Sequence, residues 1–282
     1  MRAAVLAFAI GLALPLAAET GPSVSLTLVP AGTVRWRGEG KILPQGYTNR
    51  TESQDAPLYV LEWRQAPADR GYWGLSLWHT GVFGGGAFAR ESLPDVRPGT
   101  GGLYQRDLLN VGFTNFFATR YHPLAEGPLT AELGFSVVRE IFKRKEFEVL
   151  RGSTGPLVSA GTLDDVNEIS AEGVGFGLSG VHGERLYVRW RGAAHYYIQF
   201  FDANTDASAG QIFQAEAGLG WRPTPSTAVE IGGLHQWWFT LGQGNRRLSV
   251  PGTDGAVITY NRQSTVYGGL YVRVTVRFDP RP

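Results

Sequence analysis

Polar and apolar positions alternate along most of this chain, most regularly at its C-terminal end. From Val266 to Phe278 every second residue is apolar or glycine: Val266, Gly268, Leu270, Val272, Val274, Val276 and Phe278. Between them stand Tyr267, Gly269, Tyr271, Arg273, Thr275 and Arg277. Successive side chains of a strand point to opposite faces, so Ser264–Phe278 has one apolar face and one wet, cationic face. In a soluble sandwich the apolar face looks inward. In a transmembrane barrel it looks out to lipid and the polar face lines the interior. The same period recurs in Arg185–Phe201. There Leu186, Val188, Trp190, Gly192, Ala194, Tyr196, Ile198 and Phe200 oppose Tyr187, Arg189, Arg191, His195, Tyr197 and Gln199. Gln211–Arg222 sets Phe213, Ala215, Ala217, Leu219 and Trp221 against Gln214, Glu216 and Arg222.

The pattern predicts ten strands. The first, Ser23–Arg37, groups Val24, Leu26, Leu28, Val34 and Trp36, and the interruption at Pro30 and Gly32 suggests a bulge or a sheet edge. Leu58–Gln65 places Tyr59, Leu61 and Trp63 opposite Glu62 and Arg64, and Gly71–His79 aligns Trp73, Leu75 and Leu77. Leu103–Ala118 groups Leu109, Val111, Phe113 and Phe117 on its apolar face. Leu129–Phe147 groups Leu129, Ala131, Leu133, Phe135 and Val137. Asn167–Val181 and Thr227–Leu241 complete the set. Several of these exceed a dozen residues, against about 5–6 in an ordinary globular strand. Long connections (38–57, 84–102, 148–166, 202–210, 242–262) alternate with short ones. That alternation is expected of an antiparallel barrel with short periplasmic turns, longer outer loops, an even strand number and both termini periplasmic. Twelve strands are the alternative count.

Composition narrows the class without changing it. The chain has 282 residues, no cysteine and a net charge of +1, which excludes a disulfide framework and a thiolate metal site and gives no signature of nucleic-acid binding. At the N-terminus, Arg2 precedes an apolar run ending near Ala18, which reads as a secretory signal peptide over residues 1–18. Residues 19–282 then form a single barrel domain. Trp63, Trp73, Trp190, Tyr196, Phe200, Trp221 and Phe278 fall near strand ends on the apolar side, where interfacial girdles sit.

On these residues the chain resembles bacterial outer-membrane β-barrel proteins as an architectural class. In that class the last strand commonly ends in an aromatic preceded by apolar residues at every second position, as Phe278 is by Val276, Val274, Val272 and Leu270. Here the tail Asp279–Pro282 follows the aromatic. The resemblance implies an outer-membrane location, contact with outer-membrane lipid and lipopolysaccharide, and recognition of the final strand by the barrel-assembly machinery.

Candidate chemistry is sparse. The five histidines are His79, His122, His182, His195 and His235. None lies two residues from a serine, as in outer-membrane phospholipase, and none forms the Asp-x-His pair of omptin proteases. His195, facing inward among Tyr187, Arg191 and Tyr197, is the best single candidate for a base. Asp202, Asn204 and Asp206 begin like a calcium loop, but Ala207 replaces the glycine and Phe213 the closing glutamate. No cofactor motif is found. Lys143, Arg144 and Lys145 form a basic cluster suited to the phosphates of lipopolysaccharide. The inward-facing set is the richest: Arg35, Arg37, Glu62, Arg64, Glu132, Tyr187, Arg189, Arg191, His195, Tyr197, Glu216, Arg222, Glu230, Tyr271, Arg273 and Arg277. Opposed signs on neighbouring strands fit either a bore packed by ion pairs or a narrow path for an anionic or sugar-like solute. The function expected is therefore a non-enzymatic barrel, porin-like or surface-binding. The alternatives are a narrow selective channel, or a lipid-modifying enzyme whose residues meet only in three dimensions.

Overall fold

The computed structural model describes residues 21–42, 45–53, 57–68, 70–80, 87–92, 103–124, 128–151, 157–160, 165–201, 204–247 and 257–278. The signal peptide expected over 1–18 lies outside them. Every described element is a strand: β1 (Ser23–Val29), β2 (Gly32–Ile42), β3 (Gln45–Ser53), β4 (Leu58–Arg64), β5 (Tyr72–Thr80), β6 (Ala87–Ser92) and β7 (Leu103–Pro123) in the first half. They are followed by β8 (Leu129–Arg151), β9 (Leu157–Ala160), β10 (Asp165–His182), β11 (Leu186–Phe201), β12 (Asn204–Thr224), β13 (Thr227–Arg247) and β14 (Val257–Arg277).

Ten of these make a ring in the order β1-β4-β5-β7-β8-β10-β11-β12-β13-β14. Antiparallel pairing of β1 with β14, Ser23 opposite Arg277 through Leu28 opposite Val272, closes it. The other four extend the same staves. Both β1 and β2 pair with β14, β3 and β4 with β2 and β1, β5 and β6 with β7, and β9 and β10 with β8. The protein is a closed, ten-stranded, up-and-down transmembrane barrel. A closed ring leaves no unpaired edge, which is what a backbone in hydrocarbon requires.

The side chains sort by face. Leu26, Leu61, Leu75, Leu133, Val174, Ile198, Leu219, Ile231 and Leu270 all point outward and are exposed, Leu270 by 77%. The positions between them are buried, even when charged: Arg273 is 3% and Glu230 2% exposed. A soluble protein would show the reverse. Trp63, Trp73, Trp221 and Phe278 stand exposed on the outward face towards the end with the short turns, and Tyr196 and Trp237 higher up. At one of those turns Gly183 takes a positive φ of 101°, a conformation open to glycine at no steric cost.

Three sequence-based expectations change. The outer connections are largely strand: β2 and β3 are separated only by residues 43–44, β6 and β9 lie inside two expected loops, and β13 and β14 run on to Arg247 and from Val257. Antiparallel pairing is made by the backbone, and above the apolar belt no face need be greasy, so these extensions carry no two-residue signature. Secondly, Arg35 faces outward and is exposed, while Val34 is buried. The break at Pro30–Ala31 between β1 and β2 inverts the alternation, moving Val34 from the outer face that holds Leu26 and Leu28 to the inner one. Thirdly, Phe113 and Phe117 are buried inside the barrel and Phe116 is exposed outside. On β7, then, Phe113 and Phe117 belong to the bore and Phe116 to the belt.

Candidate functional site

Alternation within each strand delivers the polar side chains to the axis. In the half of the bore nearer the short turns, four carboxylates (Glu62, Glu132, Glu216, Glu230) meet four guanidiniums (Arg64, Arg189, Arg191, Arg273), all buried except the half-buried Arg64. Arg64 donates to Glu62 from Nε at 2.9 Å and Nη2 at 2.7 Å, and its guanidinium lies over the Tyr121 ring. Glu62 Oε2 then meets Arg189 Nη2 at 3.6 Å, and Arg189 Nε meets Glu216 Oε1 at 3.6 Å. Glu216 also accepts from Arg273, whose Nη1 reaches Glu230 Oε1 at 3.1 Å and whose Nε donates to Thr27 Oγ1 at 2.7 Å. Tyr271 donates to Glu230 Oε1 and Tyr187 to its Oε2. The network is continuous from β4 to β14. Burial of these charges is tolerable because each has a partner of opposite sign or a hydroxyl donor.

A second level lies further along the barrel. Arg191 Nε donates to Glu132 at 2.8 Å and its Nη1 to Gln214 at 3.0 Å; Gln214 donates to Gln236 at 3.1 Å, and Asn115 Nδ2 reaches the same oxygen at 3.4 Å. Aromatic rings fill the space around this chain. Phe113 meets Tyr267 edge-on at 5.5 Å, Phe117 packs on His195 at 5.0 Å, and Tyr197 stacks on His195 and leans on Trp238. Beyond them Thr265 is hydrogen-bonded to Glu140.

Three of these contacts span the full diameter. In the ring of ten, β4 and β11 lie five places apart, as do β7 and β13, and β8 and β14. Glu62–Arg189, Asn115–Gln236 and Glu140–Thr265 therefore join opposite walls. Glycines set the inner contour: a β-carbon on Gly220 would lie 2.0 Å from Tyr187 Cζ, and one on Gly175 2.2 Å from His195 Nδ1. Each is the direct cross-strand partner of the ring it accommodates.

His195 is 3% exposed, with Nδ1 3.1 Å from Ser136 Oγ. The pair is buried against the rings of Phe117 and Tyr197, which suits a packing role. Arg222 is half-buried at the short-turn end, donating to Gly183 O at 3.2 Å and Glu184 O and lying over Tyr187, and Arg277 is half-buried on β14. The backbone of Lys143, Arg144 and Lys145 belongs to β8; their side chains, like that of Arg37, lie outside the described residues, as does Asp202. Asn115, Gln214, Gln236 and Ser136 were missed as bridging groups. The signal for them was parity alone, since each stands between outward residues of its strand.

With the geometry in hand, comparison with known proteins adds the fold and little more. No family model matches the chain, and none of the curated proteins does. Among solved structures it is similar to the outer membrane protease OmpT from Escherichia coli, with a TM-score of 0.60 at 11% identity, covering 92% of this chain and 97% of that one. A FadL homologue from Pseudomonas aeruginosa aligns at 8% identity over 92% of this chain and 90% of its own, with a TM-score of 0.26. The likeness to OmpT shows the fold, a closed β-barrel of the bacterial outer-membrane type.

Proposed function

We propose that this protein is a non-conducting outer-membrane barrel that works through its outer rim, with the short-turn end and both termini in the periplasm. Of the two roles open to a non-enzymatic barrel, porin-like and surface-binding, the packed bore favours the second. The observation that carries this reading is the set of contacts joining opposite walls, foremost Glu62–Arg189 at 3.6 Å. Barrels of about eight strands are filled by side chains and those of sixteen or more leave an aqueous channel, so ten filled strands lie where they should. The arginines and tyrosines that would line a selective channel are instead engaged with one another. What remains for binding is the rim built by β2–β3, β6, β9 and the upper ends of β12–β14, where strand extensions rise beyond the belt. The lipopolysaccharide contact expected for Lys143, Arg144 and Lys145 belongs to this rim, and β14 is the segment offered to the assembly machinery.

Conductance of the refolded protein in a planar bilayer tests the reading. The wild type is expected to insert and stay silent. The double variant Glu62→Ala with Arg189→Ala, which removes one wall-to-wall strut, is expected to give brief openings. Stable unitary steps from the wild type would overturn the proposal in favour of a channel.

A further inference from the structure

Above the apolar belt the ring parts at two seams. The β12–β13 ladder stops at Ala209–Leu241, although β12 begins at Asn204 and β13 runs on to Arg247. Across the mouth, β3 pairs with β2 and β6 with β7, and among the described residues no ladder joins β3 to β6. The upper wall is therefore two leaves. One is built from β13, β14, β2 and β3; the other runs from β6 through β7, β8 and β10 to β11 and β12. Register shifts mark the parting. β13 slips against β14 between Leu241 and Gly244, at the point where its ladder to β12 ends. Similar shifts occur at Phe200/Phe201 in β11–β12 and at Tyr260/Arg262 in β14–β2. A bulge bends its strand, raises the local twist and ends pairing. Beyond it, Gly244–Arg247 of β13 is bonded to β14 on one side, and the other edge has no ladder among the described residues. This stretch holds no proline, so its backbone donors are intact. The leaves also differ in charge. Above the parting, the four-strand leaf carries Arg37, Lys41, Arg50, Arg246, Arg247 and Arg262 against Glu39 and Glu52. In the other leaf basic and acidic positions are about equal in number.

We propose that the rim takes an extended acidic segment of a partner protein, which enters the β12–β13 seam and adds as a strand to the edge of β13 above Leu241. In strand addition the main-chain hydrogen bonds supply affinity and alternate side chains supply selectivity. Cross-strand pairs of opposite charge favour an acidic segment beside Arg246 and Arg247. A second copy of this chain is a poorer occupant. Two copies upright in one membrane bring their β13 edges together only in parallel, the less stable pairing, and set like charges opposite each other. The binding deepens the rim role proposed above and rests on it.

The test is hydrogen–deuterium exchange of the full chain refolded in phospholipid vesicles, read by mass spectrometry. The probe is a synthetic peptide of repeating Glu-Val-Glu-Thr, with a copy N-methylated at every residue and a copy carrying lysine for glutamate. The glutamate peptide is expected to slow exchange over residues 242–247, and the other two to leave it unchanged. The double variant Arg246→Glu with Arg247→Glu is expected to weaken the glutamate peptide about tenfold and to admit the lysine peptide. Absence of protection at 242–247 with every peptide would overturn the proposal. Equal protection by the N-methylated copy would do so too, because plain acid binding, such as that of lipopolysaccharide phosphates, needs no main-chain donors. A dimer mass abolished by the double variant would give the edge to a second copy instead. Unprotected edges in a barrel that stays silent in a planar bilayer would sink strand addition alone; stable unitary steps would sink the role on which it rests.

Discussion

The two levels of the bore are built from different chemistry, although the same ten staves supply both. Near the short turns, Glu62, Glu216 and Glu230 are threaded between Arg64, Arg189 and Arg273, and every charge depends on a neighbour. Further up, Asn115, Gln214 and Gln236 form one amide chain inside a shell of Phe113, Phe117, Tyr197, Trp238 and Tyr267. That shell is held by shape, through ring contacts such as Phe113 on Tyr267 and Tyr197 on Trp238. The lesson is one of failure modes. Losing one member of the charged level strands a buried ion, whereas losing one ring leaves a cavity whose cost follows its volume.

Arg191 bridges the two levels and gives the largest expected effect. Arg191→Met leaves Glu132 buried without its guanidinium and is expected to cost about 3–5 kcal/mol, read from urea unfolding in phospholipid vesicles. Adding Glu132→Leu should recover most of that loss; no recovery would show that the pair is not the unit holding this part of the bore. Phe117→Ala in the aromatic shell is expected to cost about 3 kcal/mol, and Phe117→Leu less than half as much. A flat response to side-chain volume there would erase the distinction between the levels. Gly220→Ala drives a methyl group into the Tyr187 ring and should cost about 1–3 kcal/mol, partly relieved by Tyr187→Ser in the same chain. At the small end, Leu133→Ala on the outward face should change stability by no more than about 0.5 kcal/mol, because no packed neighbour is lost. A large loss at Leu133 would place that face in a protein contact.

How much of this was legible follows from which face had to be greasy. On β11 and on the Val266–Val276 stretch of β14 the outward residues are apolar or glycine and the inward ones mostly polar, so parity alone assigns Arg189, Arg191 and Arg273 to the interior. On β7 the rule misleads, because the aromatic shell puts Phe113 and Phe117 inside and leaves Gly112 and Thr114 outside. Two large rings four residues apart look alike whether they face lipid or a packed bore. The Pro30–Ala31 break was legible as an interruption, but the sense in which the pattern resumes after it was not, and Arg35 was assigned to the wrong side. Wall-to-wall contacts such as Asn115–Gln236 depend on the closed ring order, which no local pattern carries. The glycines of β10 left a readable trace in hindsight: Gly173 and Gly175 stand directly across from Tyr197 and His195.

The break at Pro30–Ala31 also bears on how the ring is joined. Below it, β1 meets β14 from Leu28–Val272 to Ser23–Arg277; above it, β2 meets β14 from Gly32–Gly269 to Ile42–Ile258. The seam is therefore two zippers separated by an unpaired interval, not one continuous run of backbone bonds. A chain inserting into a bilayer can fasten the lower zipper while the upper is still open, so the last act of assembly divides into two smaller steps, each with its own register to find.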